Sequence, residues 1–113
     1  MLPILKYLDH CKVVEKYEIM DYKQGASFYF LKLRIELSDE TLLYVRKYVS
    51  SEDYNYSFQW QKNDGSLIIR WDNSPHHRNL NTFPHHQHIG NLIRPSKVMT
   101  LKDVLTIIEN DAE

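Results

Sequence analysis

The segment YNYSFQWQKNDGSLIIRWD, residues 54–72, decides the fold because it contains two strands and the turn between them. In its first eight residues aromatic side chains alternate with polar ones, a period of two that is typical of a strand with one buried face. Asp64 and Gly65 follow, a pair that is favoured in tight hairpin turns because such turns need positive φ. The segment therefore predicts an antiparallel hairpin.

The same alternation extends upstream of this hairpin. In residues 27–37, Leu31 and Leu33 share one face, whereas Lys32 and Arg34 point to the other. One sheet face is therefore expected to be buried and the other exposed to solvent. The full pattern predicts a five-stranded, mainly antiparallel meander with strands at residues 13–22, 27–37, 42–50, 54–61 and 66–72.

Helical spacing of apolar residues occurs at both ends of the chain. Residues 3–12 begin with Pro3 and predict a short amphipathic helix. Residues 96–109 predict a second helix, with Thr100 as the cap and Asp103 three residues later. The expected architecture is an α+β fold in which the C-terminal helix packs on the sheet, within a single domain spanning residues 1–113.

Composition limits the function classes. The formal net charge is −1, so no overall positive field attracts nucleic acid or anionic lipid, and any site for a polyanion must be local. No apolar stretch approaches the roughly 20 residues that a membrane span needs, and the N-terminus lacks a signal-peptide pattern. These features predict a cytoplasmic protein without membrane contact. A single cysteine, Cys11, excludes an internal disulfide.

The connection over residues 73–95 is the candidate functional segment. It was expected to be one long loop, and loops of that length in small domains are usually functional or disordered. The strand before it delivers Arg70 and Asp72 to the same place, on one face. Five of the six histidines lie in the loop: His76, His77, His85, His86 and His88.

These residue types suit RNA cleavage without a metal. Such a reaction needs a base for the ribose 2′-hydroxyl, an acid for the leaving oxygen and a cation for the phosphate. Histidine titrates near neutral pH and Arg70 supplies the cation. The candidate catalytic residues are Arg70, Asp72, His77, His85, His86 and His88. The candidate substrate-binding residues are Tyr56 and Trp60, as stacking faces for bases, with His76 and Arg78 beside them.

Two other interpretations of the histidines stay open. A metal could be held by His77, His85, His86 and His88 with Asp72, but no HExxH or paired CxxC motif is present, so no metal or cofactor is expected. The histidines could also cap turns and fill gaps around Phe83 and Trp71.

Four short segments of the sequence resemble a known family, the TumE family of toxins. They are YSFQWQ at residues 56–61, the strand LIIRWDN at 67–73, PHH at 75–77 and TFPHHQHIG at 82–90. These toxins belong to small two-gene toxin–antitoxin systems of bacteria and archaea. The resemblance implies a growth-arresting toxin that is neutralised by a small antitoxin protein, with ribonuclease activity as the usual suggestion.

Two functional hypotheses follow. In the first, the protein is an endoribonuclease. One of His85, His86 and His88 is the base, and the acid is either another of these three or His77. Arg70 or Arg78 binds the phosphate, and Asp72 orients a histidine. In the second, it is a non-enzymatic module that binds RNA or protein. Metal-dependent phosphodiester hydrolysis is a third alternative. A homodimer stays open as a further assembly.

Overall fold

A computed structural model describes residues 3–75 and 79–111. Two helices enclose a run of seven strands in the order of the chain. They are α1 (Pro3–His10), β1 (Val14–Gln24), β2 (Phe28–Leu37), β3 (Leu42–Ser50), β4 (Tyr54–Gln61), β5 (Leu67–Asp72), β6 (His86–Ile89), β7 (Leu92–Pro95) and α2 (Leu101–Asp111).

All seven strands form one sheet, and each pairs antiparallel with the next along the chain. The predicted α+β class, the meander order and the first five strands are confirmed. Gly65 adopts positive φ (92°) in the turn between β4 and β5, as the Asp-Gly pair predicted.

The predicted number of strands is wrong, because β6 and β7 lie inside the segment that was expected to be a loop. Each has only four residues, β6 with three polar side chains and β7 with two adjacent apolar residues followed by Arg94 and Pro95, so neither gives an alternation signal. The turn between them, at Gly90 and Asn91, places Gly90 at a positive φ of 57°. Such a two-residue Gly-containing turn is itself a hairpin signal.

The core lies on one face of the sheet, where both helices pack. Alternate residues of β2, β3 and β4 are fully buried there, and Leu8 of α1 and Val104 of α2 cover them. Burying these side chains removes apolar surface from water, which is the main favourable term in folding. The C-terminal helix thus packs on the sheet as predicted.

The opposite face of the sheet carries no helix in the described part of the chain, and we call it the open face. Residues that lie directly opposite one another in an antiparallel pair share a face, so the strand register places side chains in rows across the sheet. One row runs from Lys32 through Arg46 and Ser57 to Asp72 and His86. A second row consists of Arg34, Tyr44, Gln59, Arg70 and His88.

Helix α2 begins later than predicted, at Leu101, because Thr100 caps it. The Thr100 hydroxyl accepts from the Asp103 backbone N–H (3.2 Å), and the Asp103 carboxylate accepts from the Thr100 backbone N–H (3.0 Å). This reciprocal capping box satisfies two backbone donors that the helix itself leaves without partners.

Replacing the cap should weaken the whole fold, because α2 covers the core. We expect Thr100→Ala to lower the free energy of unfolding by about 1 kcal/mol. Urea unfolding measures this change, and Thr106→Ala is the matched control within the same helix, because the exposed Thr106 hydroxyl bonds to the Lys102 carbonyl and does not cap the helix. Equal stability of wild type and Thr100→Ala would contradict the capping role.

None of the helices in the described ranges is long and apolar enough to cross a membrane.

Candidate functional site

A buried carboxylate lies at the end of β5, at the centre of the candidate site. Asp72 is only 3% exposed, and its two oxygens have separate partners. Oδ1 accepts from the Ser74 backbone N–H (3.0 Å) and lies 2.9 Å from Nε2 of His86. Oδ2 accepts from Nε of Arg70 (3.0 Å) and lies 3.6 Å from Nε2 of His88. We call Arg70, Asp72, His86 and His88 the Asp72 cluster.

The cluster keeps Asp72 ionised. Burial alone would raise the pKa of its carboxyl, but the Ser74 backbone N–H, the Arg70 guanidinium and the charge on His86 together lower that pKa below its ordinary value. A buried carboxylate is stable only when it is paired and hydrogen-bonded in this way. Asp72 is therefore an anion held by donors on several sides.

His86 is held rigidly and is 2% exposed. Its Nδ1 lies 2.9 Å from the Pro84 carbonyl oxygen, and its Nε2 faces Asp72. Both ring nitrogens of His86 therefore face oxygen atoms of the protein. In this arrangement the buried His86 supports Asp72 instead of contacting solvent.

The other two members of the Asp72 cluster reach the surface. The side chains of Arg70 and His88 are 37% and 26% exposed, against 4% for Asp72. Arg70 uses Nε on Asp72 and Nη1 on the Gln59 side chain (2.9 Å), which fixes the guanidinium plane. The imidazole of His88 lies edge-on to that of His86, with ring centroids 4.9 Å apart. A cation and an imidazole thus stand side by side on the open face.

The same side chains include a possible ligand set for a metal. Among the described residues, one atom each of Asp72, His86 and His88 lie within 4.8 Å of one another. Two imidazoles and a carboxylate suit zinc or another transition metal. A metal at Nε2 of His86 would replace the proton there, and the Pro84 carbonyl would then hold the ring from the Nδ1 side. The predicted metal set is only partly brought together, because His85 is not among these residues.

His85 lies on the helix-covered side of the sheet. Its Nδ1 is 2.8 Å from the Tyr56 hydroxyl, and the two rings stack with centroids 5.8 Å apart. Burial and the nearby charge of His86 lower the pKa of His85, and burial raises the pKa of Tyr56 to about 12. The tyrosine hydroxyl therefore stays protonated and donates a hydrogen bond to a neutral imidazole. His85 immediately precedes β6, and its side chain points to the face opposite to that of His86.

The structure corrects the placement of two predicted base platforms. Tyr56 and Trp60 are 4% and 3% exposed and belong to the core cluster. Tyr56 also accepts from the Met99 backbone N–H, and Trp60 donates to the Thr41 hydroxyl. Both lie on the core face of β4, so neither ring offers a free surface to a base.

Three further predicted residues, His76, His77 and Arg78, lie outside the described residues. They follow Pro75, which lines a cavity on the open face.

Asn73 positions the site, a role that the sequence interpretation missed. Its side chain extends the β4–β5 pairing past the end of β5: Oδ1 accepts from the Tyr56 backbone N–H (3.0 Å) and Nδ2 donates to the Tyr54 carbonyl (2.6 Å). These two hydrogen bonds fix the chain immediately after Asp72, where the Ser74 backbone N–H donates to the carboxylate. An asparagine directly after a strand is the signal that could have revealed it.

The fold and the cluster together define the class: a small α+β protein with a cationic, histidine-bearing site on an open sheet face. The chain belongs to the TumE toxin family, because the family profile described as Toxin TumE matches residues 4–112. Membership makes the protein a toxin of a toxin–antitoxin system, and its partner is an antitoxin. Comparison with curated proteins and with solved structures gave no significant match.

Proposed function

We propose that this toxin is an endoribonuclease that cleaves RNA without a metal ion, at the exposed side of the Asp72 cluster. The observation that carries the proposal is the pairing of a partly exposed arginine with a partly exposed histidine around one buried carboxylate. Arginine binds phosphate oxygens through several N–H groups at once, and histidine exchanges protons near neutral pH. Both types are needed for cleavage beside a 2′-hydroxyl.

In the proposed reaction, His88 takes the proton from the 2′-hydroxyl, and that oxygen attacks the neighbouring phosphorus. The bond to the 5′-oxygen of the next nucleotide breaks, which leaves a 2′,3′-cyclic phosphate and, after protonation, a 5′-hydroxyl. Arg70 stabilises the charge that develops on the phosphate oxygens. His77, one of the alternatives for the acid in the sequence interpretation, would protonate the leaving oxygen.

Asp72 and His86 act as positioning residues in this proposal, since both are buried. Asp72 fixes the Arg70 guanidinium, while His86 holds the carboxylate in place. Preorganised groups cost little reorganisation at the moment of reaction, which is why a rigid, hydrogen-bonded support favours catalysis.

The test of the proposal is an in vitro cleavage assay combined with growth measurement in cells. Wild type should arrest growth and degrade purified RNA, whereas Arg70→Ala should do neither while keeping the circular dichroism of wild type. Arg94→Ala is the matched control, because Arg94 is an exposed arginine whose strand register places it opposite Gln87 on the other face. A toxic Arg70→Ala variant with wild-type cleavage would contradict the proposal.

A second candidate function, metal-dependent phosphodiester hydrolysis, is favoured by one observation. The ligand atoms of Asp72, His86 and His88 lie close together, and the Pro84 carbonyl holds His86 in the way that commonly orients a metal-binding histidine. In that case a metal-bound water, and not the 2′-hydroxyl, would attack the phosphate.

Metal content separates the two candidates. We expect purified protein to contain less than about a tenth of an equivalent of zinc, manganese, iron or nickel, with unchanged melting temperature in chelator, because the proposed chemistry needs no metal. Elemental analysis and thermal unfolding measure both. A full equivalent of one metal, together with activity lost in chelator and restored by that metal, would support the second candidate instead.

A further inference from the structure

We infer that single-stranded RNA binds along the open face, crossing strands β2 to β5 on its way to the Asp72 cluster. The inference rests on the proposed ribonuclease function and deepens it by naming the surface that holds the substrate. The observations that carry it are two cations, Lys32 and Arg46, in the row that leads across the open face to Asp72 and His86, and the aromatic rings beside them on the same face.

Two cations of this row have no acidic partner. Within the described residues, Lys32 and Arg46 form no ion pair, whereas Arg34 and Lys16 on the same face are both paired with Glu36. Asp21, opposite Lys32 across the β1–β2 pair, contacts Lys23. The centre of the open face is therefore positive, although the whole chain has a net charge of −1. A local positive surface is what a nearly neutral protein needs to bind a polyanion.

Two adjoining cavities give this surface its shape. One of about 400 Å³ is lined by Lys32, Tyr44, Arg46, Gln59 and Arg70, with others. The second, of about 560 Å³, shares Arg46 and Arg70 with the first and continues to Pro75. Both volumes lie in the range of sites that hold a small ligand, the size of a nucleotide. Arg70 belongs to both cavities, so RNA lying in either one contacts the Asp72 cluster.

The distance across the row fits a short RNA segment. Neighbouring strands lie about 4.8 Å apart, so the four spacings from Lys32 to His86 cover about 19 Å. Phe30, Tyr44 and Tyr48 occupy the same face between the cations, and Arg46 lies 5.4 Å from the Phe30 ring. Proteins that bind single strands usually combine cations, which contact the phosphate backbone, with aromatic rings, which stack on the bases.

An acidic segment of the antitoxin is the alternative occupant. The aromatic rings and the continuity with Arg70 and His88 favour RNA, because a protein segment would need charge complementarity alone. The two occupants are separated by the experiment below.

The test measures binding without cleavage. The probe is a fluorescein-labelled 2′-O-methyl polyuridine of about 12 nucleotides, a length within the 4–16 typical of one binding fold. Its blocked 2′-oxygens cannot attack the phosphate, so binding is measured even if the ribonuclease proposal fails. Fluorescence anisotropy is recorded over a series of salt concentrations for wild type and for the double variant Lys32→Ala/Arg46→Ala.

We expect the double variant to bind about 25-fold more weakly at 0.1 M salt, with the slope of log affinity against log salt reduced by about 1.4. Each phosphate contact on a single strand contributes a slope of about 0.7, or about fivefold between 1 M and 0.1 M salt, and two contacts are removed. The matched control is Lys6→Ala/Lys102→Ala, which removes two exposed lysines from the helices on the other side of the sheet. It should bind as wild type does.

Equal affinity and slope in wild type and the open-face variant would overturn the inference. It would also be overturned if that variant bound the probe normally but escaped neutralisation by the antitoxin in co-expressing cells, since the face would then belong to the antitoxin. Loss of probe binding in the variant, with unmodified RNA left intact by wild type, would uphold the RNA surface and refute the nuclease proposal.

Discussion

Replacing His88 with alanine is expected to reduce the rate of RNA cleavage by about 10²- to 10⁴-fold, the usual contribution of a general base. The fold should survive, because the His88 side chain is partly exposed and lies outside the apolar core. The cleavage rate is measured on purified protein under single-turnover conditions, so that binding and chemistry are separated. Growth arrest in cells should disappear together with cleavage.

His85→Ala provides the matched control for this prediction. His85 lies three residues earlier on the chain but on the helix-covered side, against Tyr56. Its replacement removes one hydrogen bond, so we expect about 1 kcal/mol less stability and a cleavage rate close to that of wild type. The account would be contradicted if His88→Ala kept the wild-type rate, or if His85→Ala alone abolished cleavage in a folded protein.

The largest effect on stability is expected at Asp72. Removing one partner of a buried ion pair typically costs about 3–5 kcal/mol, because the other charge is left buried and uncompensated. Asp72→Ala would leave the Arg70 guanidinium and the buried His86 without their carboxylate and the Ser74 N–H without its acceptor. We therefore expect a loss of about this size in the free energy of unfolding, measured by urea denaturation.

Two comparison variants test this explanation. Asp72→Asn keeps the shape and one acceptor but not the charge, so its loss should be smaller than that of the alanine variant. Asp21→Ala removes an exposed carboxylate from the same sheet face and should change stability by less than about 0.5 kcal/mol. If Asp72→Ala were as stable as Asp21→Ala, the buried cluster would not support the site.

Most of the fold could be predicted because it rests on local signals. Alternation identified β1 to β5, and the helical spacing of apolar residues identified α2, although its predicted start at residue 96 was too early. Strands β6 and β7 could not be recognised in the same way, because four residues are too few for a clear alternation and these strands form by pairing, β6 with β5 and β7 with β6. The tertiary context, not the local sequence, makes them strands.

The site was predicted in part for the same reason. The sequence placed Arg70 and Asp72 together, since alternate residues of a strand share a face. Treating residues 73–95 as a loop hid the equivalent rule for β6, which places His86 and His88 together on the open face. Burial of Tyr56 and Trp60 was likewise readable from their place in the apolar row of β4, but aromatic rings fit both a core and a base platform.

The most direct test of the central claim is the chemistry of the RNA ends that the purified toxin produces in the presence of chelator. The account predicts that wild type cuts single-stranded RNA there and leaves 2′,3′-cyclic phosphates and 5′-hydroxyls, and that His88→Ala leaves the RNA intact. Intact RNA with active wild-type toxin, or cleavage that requires a metal and leaves 3′-hydroxyls and 5′-phosphates, would contradict it.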